Sequence, residues 1–182
     1  MVSIDGYFEG ENHDLSWHNV DSEFNDFAIE QLNESDTILF GRKTYELMRD
    51  FWPTENAKKV DPQAANLMNN TPKIVFSKTL ESVEETEFWK NVRLVPSNPV
   101  EVIKKLKNLP GKDIAILGSN NLVVSLLDQN VIDEFRIMVN PVTIGKGTPL
   151  FYGIDHEVNF KLVKTRQFKN GNILLYYTSQ KS

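Results

Sequence analysis

The sequence predicts an α/β fold: a three-layer sandwich with a mostly parallel, twisted sheet flanked by helices and an antiparallel hairpin at the C-terminal end. Short apolar runs, such as residues 37–40 and 73–76, alternate with segments of helical periodicity. This alternation is typical of parallel strands joined by helices. Two β-rich runs near the C-terminus flank Asn170-Gly171, and Asn-Gly is a strong signal for a hairpin turn.

The composition is that of an ordinary globular chain. Its 182 residues suffice for one domain with a full core, so we expect a single domain over residues 1–182. The formal net charge of −5 disfavours a nucleic-acid partner. The absence of cysteine excludes thiolate metal sites, and the three histidines lack metal-ligand spacing, so no metal site is expected. The sequence contains no apolar run of membrane-spanning length, and we expect a cytoplasmic protein.

Local signals place the remaining elements. Residues 1–4 form a very short first strand that ends at Asp5-Gly6, and residues 6–17 read as a loop. Asp21 can cap the first helix, and Asn98 followed by Pro99 begins another. Further strands are predicted at 37–40, 73–77, 92–95, 113–117, 134–139, 160–168 and 172–178, and further helices at 43–52, 62–68 and after Gly118.

Two junctions between a strand and a helix are the strongest candidates for a binding site. One predicted strand ends at Gly41 and another at Gly118, and a helix follows each glycine. Helix N-termini attract anions, and ligands of open parallel sheets bind at the carboxyl ends of the strands. Residues 42–44 add two cations and a hydroxyl. The junctions therefore predict two halves of one phosphate site, although neither matches a known phosphate-loop motif and a simple helix-start turn stays open for each.

Other candidates are individually weaker. Ser77 and Lys78 follow a predicted strand and should reach the same edge of the sheet. Asp5 could orient a ligand, or it could simply form a turn with Gly6. Asp26 on the first helix could contact substrate or stay solvated, and Trp17 could line a pocket for a flat ring or pack in the core.

Six segments carry a resemblance to a known family, at residues 2–6, 38–46, 75–78, 116–119, 132–134 and 141–147. Together they cover nearly the whole chain. The specific ones are the Gly-Arg-Lys-Thr-Tyr-Glu run from Gly41 and the late Asp-Glu, Pro and Gly-Lys-Gly segments. In order and spacing, the chain resembles the dihydrofolate-reductase-like superfamily, and most closely its branch with the reductase domain of bifunctional riboflavin-biosynthesis proteins.

The resemblance implies an oxidoreductase with NADPH as cofactor. The implied reaction is hydride transfer to a small heterocyclic or sugar-linked substrate, as in 5-amino-6-(5-phosphoribosylamino)uracil reductase. Asp5 would be the catalytic residue that orients the substrate or its water, and Trp17 and Asp26 would contact the substrate. The implied cofactor-binding residues are Ile4, Gly41, Arg42, Thr44, Ser77, Lys78, Gly118, Ser119, Asn120, Asn121 and Leu122.

Three departures from the resembled family keep alternatives open. The glycine turn commonly has a second glycine where this chain has Ser119, and a serine would disfavour a backbone shape that only glycine tolerates. The position that holds the pterin-binding acid in dihydrofolate reductases corresponds to about Asn25 in this chain, and asparagine is not an acid. The first strand is also nearly absent. The alternatives are a dihydrofolate reductase or a non-catalytic nucleotide-binding relative. We also expect a homodimer, because the terminal hairpin offers an edge strand that needs covering.

Overall fold

The computed structural model describes residues 1–179, and their contacts form two compact units. The first unit contains Met1–Phe24 and the described residues from Leu127 onward, and the second is Asn25–Leu126. Among these residues, no helix combines the length and the apolar character that a membrane span needs. The expectation of a single domain stays a prediction.

The helices and strands follow the predicted alternation. The strands are β1 (Val2–Ser3), β2 (Tyr7–Glu9), β3 (Ser35–Gly41), β4 (Lys73–Phe76), β5 (Val92–Val95), β6 (Asp113–Ile116), β7 (Phe135–Asn140), β8 (Thr148–Pro149), β9 (Phe160–Gln167) and β10 (Ile173–Ser179). The helices are α1 (Ser22–Glu34), α2 (Arg42–Phe51), α3 (Glu55–Val60), α4 (Pro62–Asn70), α5 (Pro99–Lys107) and α6 (Asn120–Leu127), and a short 3-10 turn covers Glu11–His13.

The second unit is built on a parallel sheet with the strand order β5-β4-β3-β6. Gly41 pairs with Phe76 and Leu39 pairs with Ile116, so the carboxyl ends of these strands finish at one edge. Strand β3 is central, and its residues 38–40 are fully buried, as a continuous apolar run predicts for a strand covered on both faces. The predicted α/β class, with a parallel sheet flanked by helices, is confirmed.

The core of the second unit lies under helices α2 and α4. Tyr45 from α2 and Met68 from α4 pack into one cluster with the strand residues Phe40 and Val75, and Trp89 is completely buried among them. The predicted helix starts are also confirmed, because Asn98 accepts a hydrogen bond from the Val100 backbone at 3.0 Å.

The first unit contains a mixed sheet with the order β1-β7-β10-β9. Strand β1 pairs with β7 in parallel over two residues only, which confirms a very short first strand. Strands β9 and β10 form the predicted antiparallel hairpin, in which Gly171 at the turn has a φ of +90°. Asp21 accepts a hydrogen bond from the Phe24 backbone at 2.9 Å, as predicted for the start of α1.

Three features described here differ from the sequence prediction. Residues 7–9 lie in a region predicted to be loop, yet they form β2 and pair with β8 in a two-stranded ribbon. Helix α3 was not predicted, and α4 extends two residues beyond the predicted end at Met68. Helix α3 is short and polar, so it has no apolar stripe to identify it; its signal is Thr54, which accepts a hydrogen bond from the Ala57 backbone.

Candidate functional site

The two glycine junctions of the second unit are in direct contact. Gly41, at the end of β3, donates its backbone N–H to the carbonyl oxygen of Gly118 at 2.9 Å. Leu117 donates to Leu39 in the same way at 3.3 Å, which continues the pairing of β3 with β6 beyond the ends of the ladder. The structure therefore brings together the two halves that the sequence predicted to share an edge.

Each junction is packed closely against the other. A Cβ atom at position 41 would overlap the hydroxyl oxygen of Ser119 and would lie 3.2 Å from its backbone nitrogen. A Cβ atom at position 118 would lie 2.8 Å from the hydroxyl oxygen of Thr44. Both glycines are thus required by close approach, and each junction places a hydroxyl against the glycine of the other.

The turn before α6 has its glycine-only conformation at Gly118, with a φ of +128°. The peptide bond between Gly118 and Ser119 is cis. Ser119 does not have a positive φ, so this turn does not require a glycine-only backbone at position 119, and the effect of the serine on cofactor affinity stays a prediction. Its carbonyl accepts hydrogen bonds from the backbone N–H groups of Leu122 and Val123 at 3.1 and 3.2 Å, which begins the helix.

The predicted residues that follow this turn differ in exposure. Asn120 and Leu122 are buried at the start of α6, whereas Asn121 is exposed. The Leu122 side chain points into the core, so a contact from this residue to a ligand would come from its backbone. The cofactor-binding roles of these three residues stay predictions.

The first turn of α2 carries an unusual charge pattern. Arg42 and Lys43 occupy this turn, it contains no acidic residue, and Gly41 supplies no side-chain cap. The N-terminus of a helix is its positive end, so cations there oppose the helix dipole. Both the cations and the backbone N–H groups of this turn would attract an external anion.

Ser77 and Lys78 lie at the same edge of the second unit. Because Phe76 pairs with Gly41, Ser77 is the first residue beyond the sheet at the level of the junctions. The Ser77 hydroxyl accepts hydrogen bonds from the backbone N–H groups of Thr79 and Leu80 at 3.2 and 3.0 Å. It therefore shapes the turn after β4, and it also lies 3.5 Å from the Thr79 hydroxyl, a contact in which either group can donate. Lys78 is exposed.

In the first unit, Asp5 connects two loops. Its carboxylate accepts hydrogen bonds from the backbone N–H groups of Ile144 and Gly145 at 3.2 and 2.8 Å. Hydrogen bonds from Ser3, and then from Gly145 and Ile144, hold the pKa of Asp5 below its usual value. The group is an ionised acceptor at neutral pH and not a proton donor, and its predicted catalytic role stays a prediction.

The other predicted contacts to the substrate and the nicotinamide are less enclosed. Ile4 is 63% exposed, and its backbone N–H donates to Val142 at 2.8 Å. Trp17 is half-buried, and its ring nitrogen donates to the Asp14 carbonyl at 3.1 Å. In the second unit, Asp26 is exposed on α1. Its role as a substrate contact stays a prediction.

The first unit also contains a polar groove of about 550 Å³. Within it, the Glu9 carboxylate accepts a hydrogen bond from the Thr148 hydroxyl at 2.8 Å and lies 2.9 Å from Nδ1 of His13. The groove is lined by Tyr7, Glu9, Gly10, Glu11, Asn12, His13, Gly145, Lys146, Gly147 and Thr148. These residues come from strand β2 with the turn that follows it and from the segment at the start of β8.

Sequence reasoning missed the Glu9–His13 pair because the pairing depends on an unusual backbone. Asn12 and His13 both have left-handed φ values, of 57° and 62°. Such values are uncommon for residues other than glycine. Gly147 also approaches the Glu9 carbonyl so closely that a Cβ atom would collide with it. The only signal in the sequence was the Gly145-Lys146-Gly147 run opposite a polar loop.

Two histidines of the first unit should titrate far apart. Burial lowers the pKa of His18 to about 4. Hydrogen bonds to Asp155 and then Asp128, with Nδ1 and Nε2 distances of 3.1 and 3.0 Å, raise the pKa of His156. In an NMR titration, we expect His18 to stay neutral down to about pH 4 and His156 to titrate above 6.5. Asp128→Asn should lower the His156 pKa without moving His18; a His156 pKa at or below 6.5 in the unchanged protein would contradict these contacts.

These features define a class of protein: an α/β chain with a phosphate-suited edge formed by two glycine junctions. The chain matches the RibD C-terminal domain family over residues 1–174 and belongs to that family. It is 34% identical over 178 residues to the uncharacterized protein YyaP of Bacillus subtilis, a match that covers 97% of this chain and 90% of YyaP.

Solved structures show the same fold. A protein of Shewanella sp. PV-4 proposed to act in riboflavin biosynthesis superposes with a TM-score of 0.73 at 23% identity, over 99% of this chain and 96% of its own. The deaminase and 5-amino-6-(5-phosphoribosylamino)uracil reductase of Thermotoga maritima gives 0.69 at 17% identity, over 98% of this chain and 54% of its own. Dihydrofolate reductase of Enterococcus faecalis, complexed with NADP(H), gives a TM-score of 0.62 at 18% identity, over 99% of this chain and 93% of its own. The resemblance predicted from the sequence is confirmed.

Proposed function

We propose that this protein is an NADPH-dependent oxidoreductase that transfers hydride to a small heterocyclic or sugar-linked substrate. The single observation that carries the proposal is the contact between the two junctions, at which Gly41 donates to Gly118 at 2.9 Å. Membership of the RibD C-terminal domain family supports it. The similarity in fold to a dihydrofolate reductase complexed with NADP(H) is consistent with the same cofactor.

The residues present at this edge fit a phosphate-bearing cofactor. The first turn of α2 holds two cations, no acid and no side-chain cap. Arg42 would bind a phosphate group through its planar guanidinium, and the hydroxyls of Thr44 and Ser119 lie beside the two glycines that allow close approach. Ser77 and Lys78, at the same edge, would contact the adenosine side of the cofactor.

When bound, NADPH would supply the hydride. The contribution of this chain would be to bind, to orient and to exclude water. In the first unit, the ionised Asp5 can accept a hydrogen bond from a substrate or an ordered water but cannot protonate it at neutral pH. We assign the polar groove with Glu9 and His13 as the place where a small, hydrogen-bonding molecule would bind.

The alternatives make different predictions. For a dihydrofolate reductase we would expect an enclosed acid on α1, but Asp26 is exposed and Asn25 occupies the neighbouring position. A non-catalytic relative would bind nucleotide without turnover. Turnover assays on a panel of reductase substrates, followed by the absorbance of NADPH, distinguish the proposed reductase, a dihydrofolate reductase and a non-catalytic relative.

Calorimetric titration should show that NADPH binds more tightly than NADH and that Arg42→Ala weakens NADPH binding about 10-fold, because a charge-assisted hydrogen bond to a phosphate is lost. Arg93→Ala is the matched control, since it removes the same charge from an exposed position on β5. No binding of either nucleotide to the unchanged protein, or an Arg42→Ala affinity equal to that of the control, would sink the assignment of this edge.

The oligomeric state and the cellular location stay proposals. Strand β9 lies at the edge of its sheet within the described residues and carries Leu162 and Val163 exposed. A second copy of the chain would cover such an edge, in keeping with the predicted homodimer. We propose a cytoplasmic protein whose partner is a small-molecule substrate.

A further inference from the structure

The charges on α2 follow one another along the helix axis. Arg42 and Lys43 stand in the first turn, and Glu46 stands one turn later. The nearest downstream cation, Arg49, is held by Asp50 through two hydrogen bonds of 2.9 and 2.8 Å to the same carboxylate oxygen. Glu46 is therefore the carboxylate on this helix that faces the cations of the first turn.

Glu46 contacts Arg42 directly. The Arg42 guanidinium lies 3.4 Å from the Glu46 carboxylate, and the two side chains are 45% and 34% exposed. The distance is long for a charge-assisted hydrogen bond, and pairs this exposed contribute little to stability. The contact can therefore be exchanged for a better acceptor at low cost.

We propose that Glu46 is a placeholder counter-ion: it holds the Arg42 guanidinium when no phosphate is bound and yields it when the cofactor phosphate arrives. This inference rests on the proposed function, because it concerns the same phosphate edge. Glu46 thereby lowers the affinity of the site for the cofactor and reduces its preference for the more highly charged nucleotide.

The direction of the effect follows from charge. The Glu46 carboxylate competes with phosphate for one guanidinium, and it also repels an anion that approaches the first turn of α2. Both effects weaken binding: the repulsion grows with the negative charge of the ligand, and the competition arises only for a ligand whose phosphate reaches Arg42. A neutral side chain of similar size at position 46 should therefore tighten NADPH binding more than NADH binding.

The test is a calorimetric titration of Glu46→Gln with NADPH and NADH at fixed salt. We expect NADPH to bind to Glu46→Gln about 2- to 5-fold more tightly than to the unchanged protein, a change that matches the small free energy of a surface ion pair. The gain for NADH should be smaller. Asp50→Asn is the matched control, because it removes a carboxylate paired with an arginine on the same helix, away from the first turn. It should leave both affinities unchanged.

The outcomes separate this inference from the proposed function. NADPH binding to the unchanged protein with equal or weaker binding to Glu46→Gln overturns the placeholder role alone. An equal gain in NADPH affinity for Asp50→Asn also overturns the placeholder role, because the gain would then result from the change in net charge and not from the release of Arg42. Absence of NADPH binding to the unchanged protein overturns the proposed function, and the placeholder role with it.

Discussion

Replacing Gly41 with alanine should lower the free energy of unfolding by about 1–3 kcal/mol, as overpacking in a close-packed interior does. Its backbone is not the cause, because Gly41 has a φ of −79° that alanine adopts freely. The cause is the Ser119 hydroxyl, which the new methyl group would overlap. The same displacement should weaken NADPH binding, since the two junctions form the proposed phosphate edge. Denaturant unfolding and calorimetric titration measure the two effects.

A double-mutant cycle isolates this contact. Ser119→Gly removes the hydroxyl and the Cβ atom that meet the new methyl group, which leaves the backbone nitrogen 3.2 Å away. We expect Gly41→Ala in the Ser119→Gly background to recover most of the lost stability, with strong non-additivity between the two changes. Additive effects would mean that the junctions do not pack as described.

The sequence was sufficient to predict that the two junctions share an edge. Each follows a short apolar run, and the carboxyl ends of parallel strands meet at one edge of a sheet. The register of Gly41 with Phe76 is a consequence of parallel pairing and adds Ser77 to that edge. These predictions rest on local patterns, such as the capping residues Asp21 and Asn98, which act on backbone groups two or three residues away.

Contacts between distant residues could not be predicted in the same way. The hydroxyl of Ser119 lies against Gly41, 78 positions earlier in the chain, and its placement depends on how β6 pairs with β3. Spacing also could not predict that the left-handed φ of this turn lies at Gly118 and not at Ser119. The spacing of residues in the sequence predicts that a turn is present, but it does not predict which residue of the turn has the left-handed φ.

The polar groove of the first unit is a second feature that the sequence could not predict. Strands β2 and β8 have three and two residues, too few for a period-two pattern to emerge. Glu9 meets Thr148 through this ribbon, and it meets His13, four residues later, through the turn that follows β2. Residues of a loop that is held by non-local hydrogen bonds carry no signal in the sequence beyond polarity and glycine.

Lys73 combines complete burial with a positive charge in the second unit. Its Nζ atom donates to the backbone carbonyls of Asn69, Thr71 and Lys90 at 3.1, 2.6 and 3.0 Å, and it lies 4.5 Å from the centre of the Trp89 ring. The ammonium group thus satisfies carbonyls at the end of α4. Burial nevertheless lowers the pKa of Lys73 from 10.5 to about 8.

This lowered pKa makes the contribution of Lys73 to stability depend on pH. Between about pH 8 and 10.5, the unfolded chain holds a proton on Lys73 that the folded chain has released, so stability rises with pH across this window. Below pH 8 both states are protonated and the contribution is constant. We expect the unfolding free energy of the unchanged protein, relative to Lys73→Met, to increase by at most about 3 kcal/mol over the window.

Lys104→Met, at an exposed position on α5, is the matched control. Because the other titrating groups are common to all three proteins, the difference between the two lysine variants isolates the buried site. Denaturant unfolding at pH 7, 8, 9 and 10 measures it. The three carbonyl bonds favour the ammonium and therefore oppose the effect of burial. A difference between the lysine variants that stays flat or falls with pH would show that these bonds outweigh burial, so that Lys73 stays charged in the folded protein.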